Sequence, residues 1–446
     1  MVMGRRKAKQ GELFIPTQDL PVSPGHPFYK KLNTVLAEAN FDPFVEGLCL
    51  PHYDQDFGRP SIPPGVYFRM LLIGYFEGIN SQRGIAWRCS DSRSLQQFLG
   101  FLPQEATPDH SSMTNIRERL PEVIYEKVFA FVLTLAEAKG LLIGKTVGVD
   151  ATTLEANAAM KTLTRREGGE DYKDYLRQLA AEAGLENPSD ADLRRFDKNR
   201  KNKTMSNEDW ESPTDPDSKI ARMKDGTTHL AYKAEHVVDL DTTLVLAAEI
   251  YPANEADSAT LEKSVLTAEV NLIRAGSAAQ IEEVTTDKGY HKIETLADFA
   301  EKEYRTYIPE PEQKTEHVWT DKSAEQETAY RNNRRRTRRV KGKRWQRQRS
   351  EKVERSFAHV CETAGGRRSH LRGLEKVSKR YLLQVAAHNL GIVMRKLFGV
   401  GTPRSLQGFR AACALIWVAI GAQVHELRRP IALALRRRIW FRTTRI

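Results

Sequence analysis

The sequence predicts two domains of different class: an all-helical domain first, then an α/β domain built on a mixed sheet with helices on its faces. Three observations carry this reading. From Ser61 to Gly140 the apolar residues recur at helical spacing, in several short blocks. After Lys145 the period drops to two, in TVGVDATTLEA. From there to about residue 400 strand-like and helix-like blocks alternate.

Residues 1–60 are rich in Pro and Gly and only weakly periodic. The stretch SIPPGVYFRMLLIGYFEGI places Pro63 and Pro64 at a helix start and predicts an apolar face of Val66, Met70, Leu71 and Tyr75. Thr107 before Pro108 marks the start of a helix in TPDHSSMTNIRERL, and EVIYEKVFAFVLTLAEAKG runs as a longer amphipathic helix to Gly140. The helical domain is therefore placed at 1–140, and its short helices have room for a helix-turn-helix that reads DNA.

The second domain is placed at 141–400. Its first strand puts Val147 and Val149 on one face and Gly148, Asp150 and Thr152 on the other. An insertion at about 161–218 is charged and too poor in large apolar residues for a core of its own. Two strands follow around the turn Asp239-Leu240-Asp241-Thr242. Next come a helix capped by Asp257 or Ser258 and closed by Gly276, a strand running out at Asp287, a helix and a short strand. A basic segment, 331–349, precedes two last helices, and 401–446 is left as a basic tail.

The formal net charge of +11 is unevenly placed. Residues 1–140 carry 15 basic and 15 acidic residues, residues 141–329 carry 24 and 38, and residues 330–446 carry 30 and 5. A clustered basic surface is the footprint of a polyanionic partner. The segment 331–349 alone holds eleven Lys or Arg and no acid. Trp87, Trp210, Trp319 and Trp345 are candidates for base stacking, Trp345 first because it sits inside this segment. The four cysteines form no CxxC pair and the histidines no zinc spacing, so neither a zinc site nor a disulfide framework is signalled. The apolar run Ala411–Ala422 is too short to span a bilayer, and no secretory signal is read at the start. The expectation is a cytoplasmic protein without a membrane partner.

Three acids stand out by position. Asp150 lies in a strand whose neighbours are apolar, where a charge is costly unless paired or bound to metal. Asp287 lies where a strand gives way to Lys288-Gly289-Tyr290, and the carboxyl ends of strands are where open sheets place their sites. Glu354 lies in the helix after the basic run, on the flank of an apolar stripe of Val353, Phe357, Val360 and Ala364. It is expected to face the sheet. Glu351, one turn earlier, is expected to pair outward with Arg355. Taken singly, a strand Asp is more often an edge residue and a helix Glu beside an Arg a surface ion pair. Hard oxygen ligands in this order suit Mg²⁺, and two such ions can clamp the two oxygens of a phosphodiester exchange.

The blocks GVDATTLEANA, TTDKGYH and VERSFAHVCETAGGRRSHLRG resemble the three catalytic blocks of DDE transposases from bacterial insertion sequences. AYKAEHVVDLDTTLVLAAEIYPANEADSATL resembles the strand pair between the first two. FIPTQDLPVSPGHPFYKKLN through TPDHSSMTNIRERL resembles the InsH-like N-terminal domain of these enzymes. The resemblance covers about residues 10–408 and leaves the tail 409–446 outside it. It implies a ribonuclease-H-like catalytic domain, with Asp150, Asp287 and Glu354 as the catalytic and metal-holding acids, Mg²⁺ as the cofactor and Mn²⁺ as a substitute. It also implies cleavage of double-stranded DNA at the element's terminal repeats and joining to target DNA, by a homodimer or larger assembly at the bacterial nucleoid. Many relatives place Tyr and Arg before the catalytic Glu and Lys after it; here those slots hold Arg347, Ser350 and Cys361. The DNA-binding candidates are Arg334, Arg335, Arg336, Arg338, Arg339, Lys341, Lys343, Arg347, Arg355, Arg367 and Arg368, the basic run serving as a strap for phosphates. The alternatives are a non-catalytic or decayed DNA-binding derivative of a transposase, or a repair or RNA nuclease of the same fold.

Overall fold

In a computed structural model the described residues are 23–406, apart from 55, 167–170, 186, 201–205, 224–225, 313–318 and 320–321. From residue 407 the expected tail lies outside them. The chain forms two compact units, one of residues 1–74 and 81–120, the other of residues 75–80 and 121–446. Among the described residues no helix is long and apolar enough to cross a membrane.

The first unit is helical. The weakly periodic stretch before Ser61 folds as α1 (Pro27–Glu38) and α2 (Phe41–Cys49). Then come α3 (Pro64–Glu77), whose last turn belongs to the second unit, α4 (Gln82–Asp91), α5 (Arg93–Leu99) and α6 (His110–Arg119). In α3 the buried residues include Tyr67, Phe68, Met70, Leu72 and Ile73, while Val66 and Leu71 are only half-buried. The expected apolar face is thus displaced, because aromatic residues between its positions take the interior. The buried Arg69 reaches Asp42 with two hydrogen bonds, at 3.0 and 2.8 Å, and lies over the Phe98 ring at 5.1 Å. Such a paired, stacked guanidinium is tolerated inside a core where a lone one is not. Helix α6 starts two residues later than the Thr107–Pro108 signal suggests. Its cap is Asp109, whose carboxylate accepts the Ser112 N–H at 2.9 Å.

Beyond residues 75–80, the second unit continues from α7 (Glu122–Ala138), so the boundary expected at 140 falls behind a helix of this unit. Next are β1 (Thr146–Glu155), β2 (Thr164–Arg165), α8 (Tyr172–Glu182), α9 (Asp190–Asn199), β3 (Trp210–Glu211), β4 (Lys219–Arg222), β5 (Thr228–Asp239) and β6 (Val245–Pro252). After them come α10 (Asp257–Arg274), β7 (Glu283–Thr285), α11 (Ile293–Glu301), β8 (Arg305–Tyr307), α12 (Ala324–Arg338) and α13 (Val340–Phe357). A π-helical turn, Ala358–Thr363, and α14 (Leu374–Phe398) follow. The expected basic strap is thus two helices, α12 and α13.

Strand β1 runs antiparallel to β5, from Val147 opposite Asp239 to Glu155 opposite Ala231. On its other side β1 runs parallel to β7, and β7 parallel to β8. Strands β4 and β6 pair with successive stretches of β5. This mixed sheet with helices packed on it is a ribonuclease-H-like fold, following a helical N-terminal region.

Two local expectations fail. The insertion has a small core, Leu176, Ala180 and Leu193 with Tyr172 and Phe196 against them, and Trp210 meets Tyr172 and Tyr175 edge-on. Its apolar residues are few but spaced to meet across two short helices. At α10 neither Asp257 nor Ser258 caps the helix; the flanking residue is Ala256, and the Asp257 carboxylate turns to Lys233 at 3.2 Å.

Helix α13 lies close over β1. A Cβ at Gly148 would stand 2.8 Å from Leu240 Cδ2 and 3.1 Å from both Arg349 Cγ and Val353 Cγ2. Only glycine permits that approach. Replacing Gly148 by Val is expected to push α13 off the strand and cost about 1–3 kcal/mol. Urea unfolding of the variant against the parent chain measures it, and an unchanged midpoint contradicts the close approach.

Candidate active site

Asp150 sits midway along β1, opposite His236 of β5. The parallel register of β1 with β7 ends with Gly148 opposite Thr285; the chains run on from there to Asp150 and Asp287, near enough for the charge of Asp287 to act on Asp150. Asp287 ends the strand by capping a 3₁₀ turn, Lys288–Tyr290, where its carboxylate accepts the Gly289 N–H at 2.8 Å. The turn is pinned from below, since the buried Tyr290 hydroxyl donates to the Glu235 carboxylate at 2.8 Å.

Asp150 accepts hydrogen bonds from Arg349 Nη1 at 2.6 Å and from the Ala151 N–H at 2.8 Å. Burial pushes its carboxyl above the usual carboxylate range. Arg349 and the Ala151 N–H oppose that rise, and the charge of Asp287 adds to it. Two carboxylates acting on each other, one of them held by a single guanidinium bond from Arg349, are the kind of donor set that a hard divalent ion takes with few protein ligands. Among the described residues no three His, Cys, Asp or Glu side chains come together as a metal-holding group.

Glu354 therefore does not converge with the aspartates, against the expectation that it faces the sheet. It is exposed, and its carboxylate accepts the Ser350 hydroxyl at 3.1 Å. The reason is helix phase. Arg349 and Val353, four apart, take the inward positions over Gly148. Glu354, five residues after Arg349, then stands about 140° around the helix from it. Glu351 does pair with Arg355, at 2.6 Å and in the open.

Part of the basic run, along with Arg367 and Arg368 beyond it, is engaged by other groups of the protein. Arg336 donates to the Thr306 carbonyl at 3.0 Å, and Arg334 pairs with Glu310 at 3.3 Å. Arg335 bonds Asn332 at 3.0 Å. Arg367 bonds Glu362 at 2.7 Å and Thr152 at 2.8 Å, and Arg368 meets Glu155 at 3.6 Å. Arg338, Arg339, Lys343 and Arg347 are exposed and have no ion-pair partner among the described residues. Lys343, Arg347, Ser350 and Glu354 fall at spacings of four, three and four, one stripe along α13. Trp345 is not available for stacking bases: it is buried and its indole N–H donates to Glu283 at 3.1 Å. Of the four tryptophans considered, Trp87 on α4 is exposed.

Two residues that the sequence reading passed over matter most. Arg349 was only one more cation in the run; its spacing of four from the buried Val353 was the available signal. Glu283 carried no signal at all. Its buried carboxylate accepts from Lys341 at 2.5 Å, Trp345 at 3.1 Å, Tyr307 at 2.9 Å and Thr146 at 3.1 Å. Gln346 adds bonds to the Thr286 and Tyr307 carbonyls, at 3.0 and 2.5 Å, next to Asp287.

A family described as Transposase domain (DUF772) matches residues 17–119, and a family described as Transposase DDE domain matches residues 196–390. The second match takes in Asp287 and Glu354 and begins after Asp150. Neither a curated protein nor a solved structure matches the chain. The fold and the two matched domains define a transposase, a class whose partner is DNA. More narrowly, the two matches support a DDE transposase of an insertion sequence.

Burial by itself raises the Glu283 carboxyl, but the bonds from Lys341, Tyr307 and Thr146 outweigh it and hold it below its ordinary value of 4.5. Its contribution to stability is therefore present above that value and lost as pH falls through the lower, folded one. Glu283→Ala is expected to cost about 2–4 kcal/mol at pH 7, since it strips a buried charged hub of its partners. Urea midpoints of the two proteins should converge below about pH 4.5; a constant gap would contradict this role.

Proposed function

We propose that the chain cuts DNA at the terminal repeats of an insertion sequence and joins the freed ends to target DNA. Hydrolysis breaks the P–O3′ bond at an element end and leaves a 3′-hydroxyl. That hydroxyl attacks a target phosphodiester, forming a new P–O bond and releasing the target's own 3′-oxygen as a hydroxyl. The observation that supports this most is Asp150 on β1 with Asp287 just beyond the end of the adjacent strand β7, in a ribonuclease-H-like sheet.

Asp150 and Asp287 would hold Mg²⁺, with Mn²⁺ able to substitute. The ion supplies positive charge for the phosphate and lowers the pKa of water. Glu354 is assigned as the third acid, which requires it to turn inward when DNA is bound. The π-helical turn that begins four residues after it gives α13 a place to adjust, as such turns often do at functional sites. Arg338, Arg339, Lys343 and Arg347 are the cations best placed to meet phosphates, and Arg347 leads along the helix toward Glu354. The helical N-terminal unit, with exposed Trp87, is assigned to binding the terminal repeats. The working assembly would be a homodimer or larger on DNA, in the cytoplasm at the nucleoid.

One observation favours a second reading, a binding protein that has lost catalysis. Glu354 is exposed and bonded to Ser350, and the positions that hold Tyr, Arg and Lys in many relatives hold Arg347, Ser350 and Cys361 here.

Purified protein with DNA carrying the repeats and Mg²⁺ or Mn²⁺ separates the two. Metal-dependent nicking is expected, falling to background in Asp287→Ala. Glu354→Gln should keep DNA binding and melting temperature near those of the parent and lose cleavage, while Glu351→Gln cleaves almost normally. Tight binding without nicking would favour the second reading, and full cleavage by Glu354→Gln would remove that residue from the site. Replacing Lys343 or Arg347 by Gln should weaken binding to any sequence and lower the salt slope by about one unit.

A further inference from the structure

Arg349 makes an ion pair that is incomplete in a particular way. Nη1 donates to Asp150 Oδ2 at 2.6 Å, with the two side chains only 11 and 21% exposed. Its Nε is buried and has no hydrogen-bond partner. A guanidinium built into a protein for stability usually engages a carboxylate with two parallel bonds, and a buried donor left idle costs free energy. The arm reaches Asp150 by crossing over Gly148, with its Cγ 3.1 Å from where a side chain there would begin. Arg349 therefore stands in an under-bonded position on the Asp150 carboxylate, the group on which the charge of Asp287 also acts.

We propose that Arg349 is a stand-in cation for the divalent ion: it neutralises Asp150 in the DNA-free protein and must leave Oδ2 for the ion to be held there. The inference rests on the metal site assigned to Asp150 and Asp287 above. A guanidinium and a divalent ion on one carboxylate repel each other strongly in a half-buried site, so the two compete. Once displaced, the side chain remains on α13, the helix that carries Lys343 and Arg347, and is free for a DNA phosphate. Phosphate binding by Arg349 in turn clears Asp150. DNA and the ion then favour each other, and by linkage the effect is the same from either side.

Binding of Mn²⁺ to the full chain, followed by the electron paramagnetic resonance of free Mn²⁺ without catalysis, tests this. Arg349→Met without DNA should bind Mn²⁺ about five- to a hundredfold more tightly than the parent, the usual span of coupling between two sites. Duplex DNA should tighten Mn²⁺ binding in the parent and do so much less in the variant. Arg349→Gln, which is polar and uncharged, should behave as Arg349→Met and covers the case in which the latter folds poorly. Unchanged or weaker binding in these variants, with Asp287→Ala still removing the site, would overturn the role of Arg349 and leave the metal site standing. Mn²⁺ binding indifferent to Asp287→Ala would overturn the metal site itself, and this inference with it.

Discussion

The arrangement depends on one buried carboxylate. Glu283 opens β7, between β1 and the edge strand β8, and collects donors from β1, β8 and two turns of α13. Helix α13 is among the most basic stretches of the chain, and an acid beneath its first turns offsets the cost of seating those charges against a sheet. Glu283 draws Lys341 down at one end and Trp345 a turn later, and those two contacts set the helix's rotation. With the rotation set, Arg349 and Val353 face Gly148, and Glu354 faces away. The location of a positive charge beside Asp150 is thus decided at a residue on the neighbouring strand.

The sheet was legible because its period is simple. In β1, alternation separates Val147 and Val149 from Asp150, and the two long strands around the Asp239–Thr242 turn follow the same logic. Helices with strong amphipathic faces, such as α7, were equally plain. What hid was structure whose signal is tertiary. Helices α1 and α2 are short and flanked by Pro, Gly and Asn, so their pattern reads as a loop until Arg69 of α3 is seen to reach Asn33 of α1 and Asp42 of α2. The core of the insertion escaped because hydrophobic content was averaged over a segment in which a few aromatic residues do the packing.

The acids of the site show the same division. Their order along the chain was enough to pick them out, and the parallel neighbours β1 and β7 run on to Asp150 and Asp287, near enough for the charge of Asp287 to act on Asp150. The orientation of Glu354 was not legible. A helical wheel fixes which residues share a face, and the stripe Val353, Phe357, Val360 and Ala364 is indeed buried. It does not say on which flank of that stripe the neighbouring acids lie, since that depends on what the stripe lands upon. Charge counting failed for a related reason. A run of Lys and Arg looks like free surface, yet Arg336, Lys341 and Arg349 are each consumed by an acceptor far away in sequence.

The insertion between β1 and β5 has a topological property of its own. It leaves the sheet just beyond Glu155 of β1 and rejoins it at Lys219 of β4, and both residues pair with Ala231 of β5. Its two roots are therefore close, two strand spacings of about 5 Å apart. A loop rooted in this way can grow, shrink or be exchanged with little entropic effect on the strands that carry it. Lineages that share this sheet and its aspartates are free to differ widely in length and chemistry between these two points, so sequence divergence there is a poor guide to divergence of the reaction.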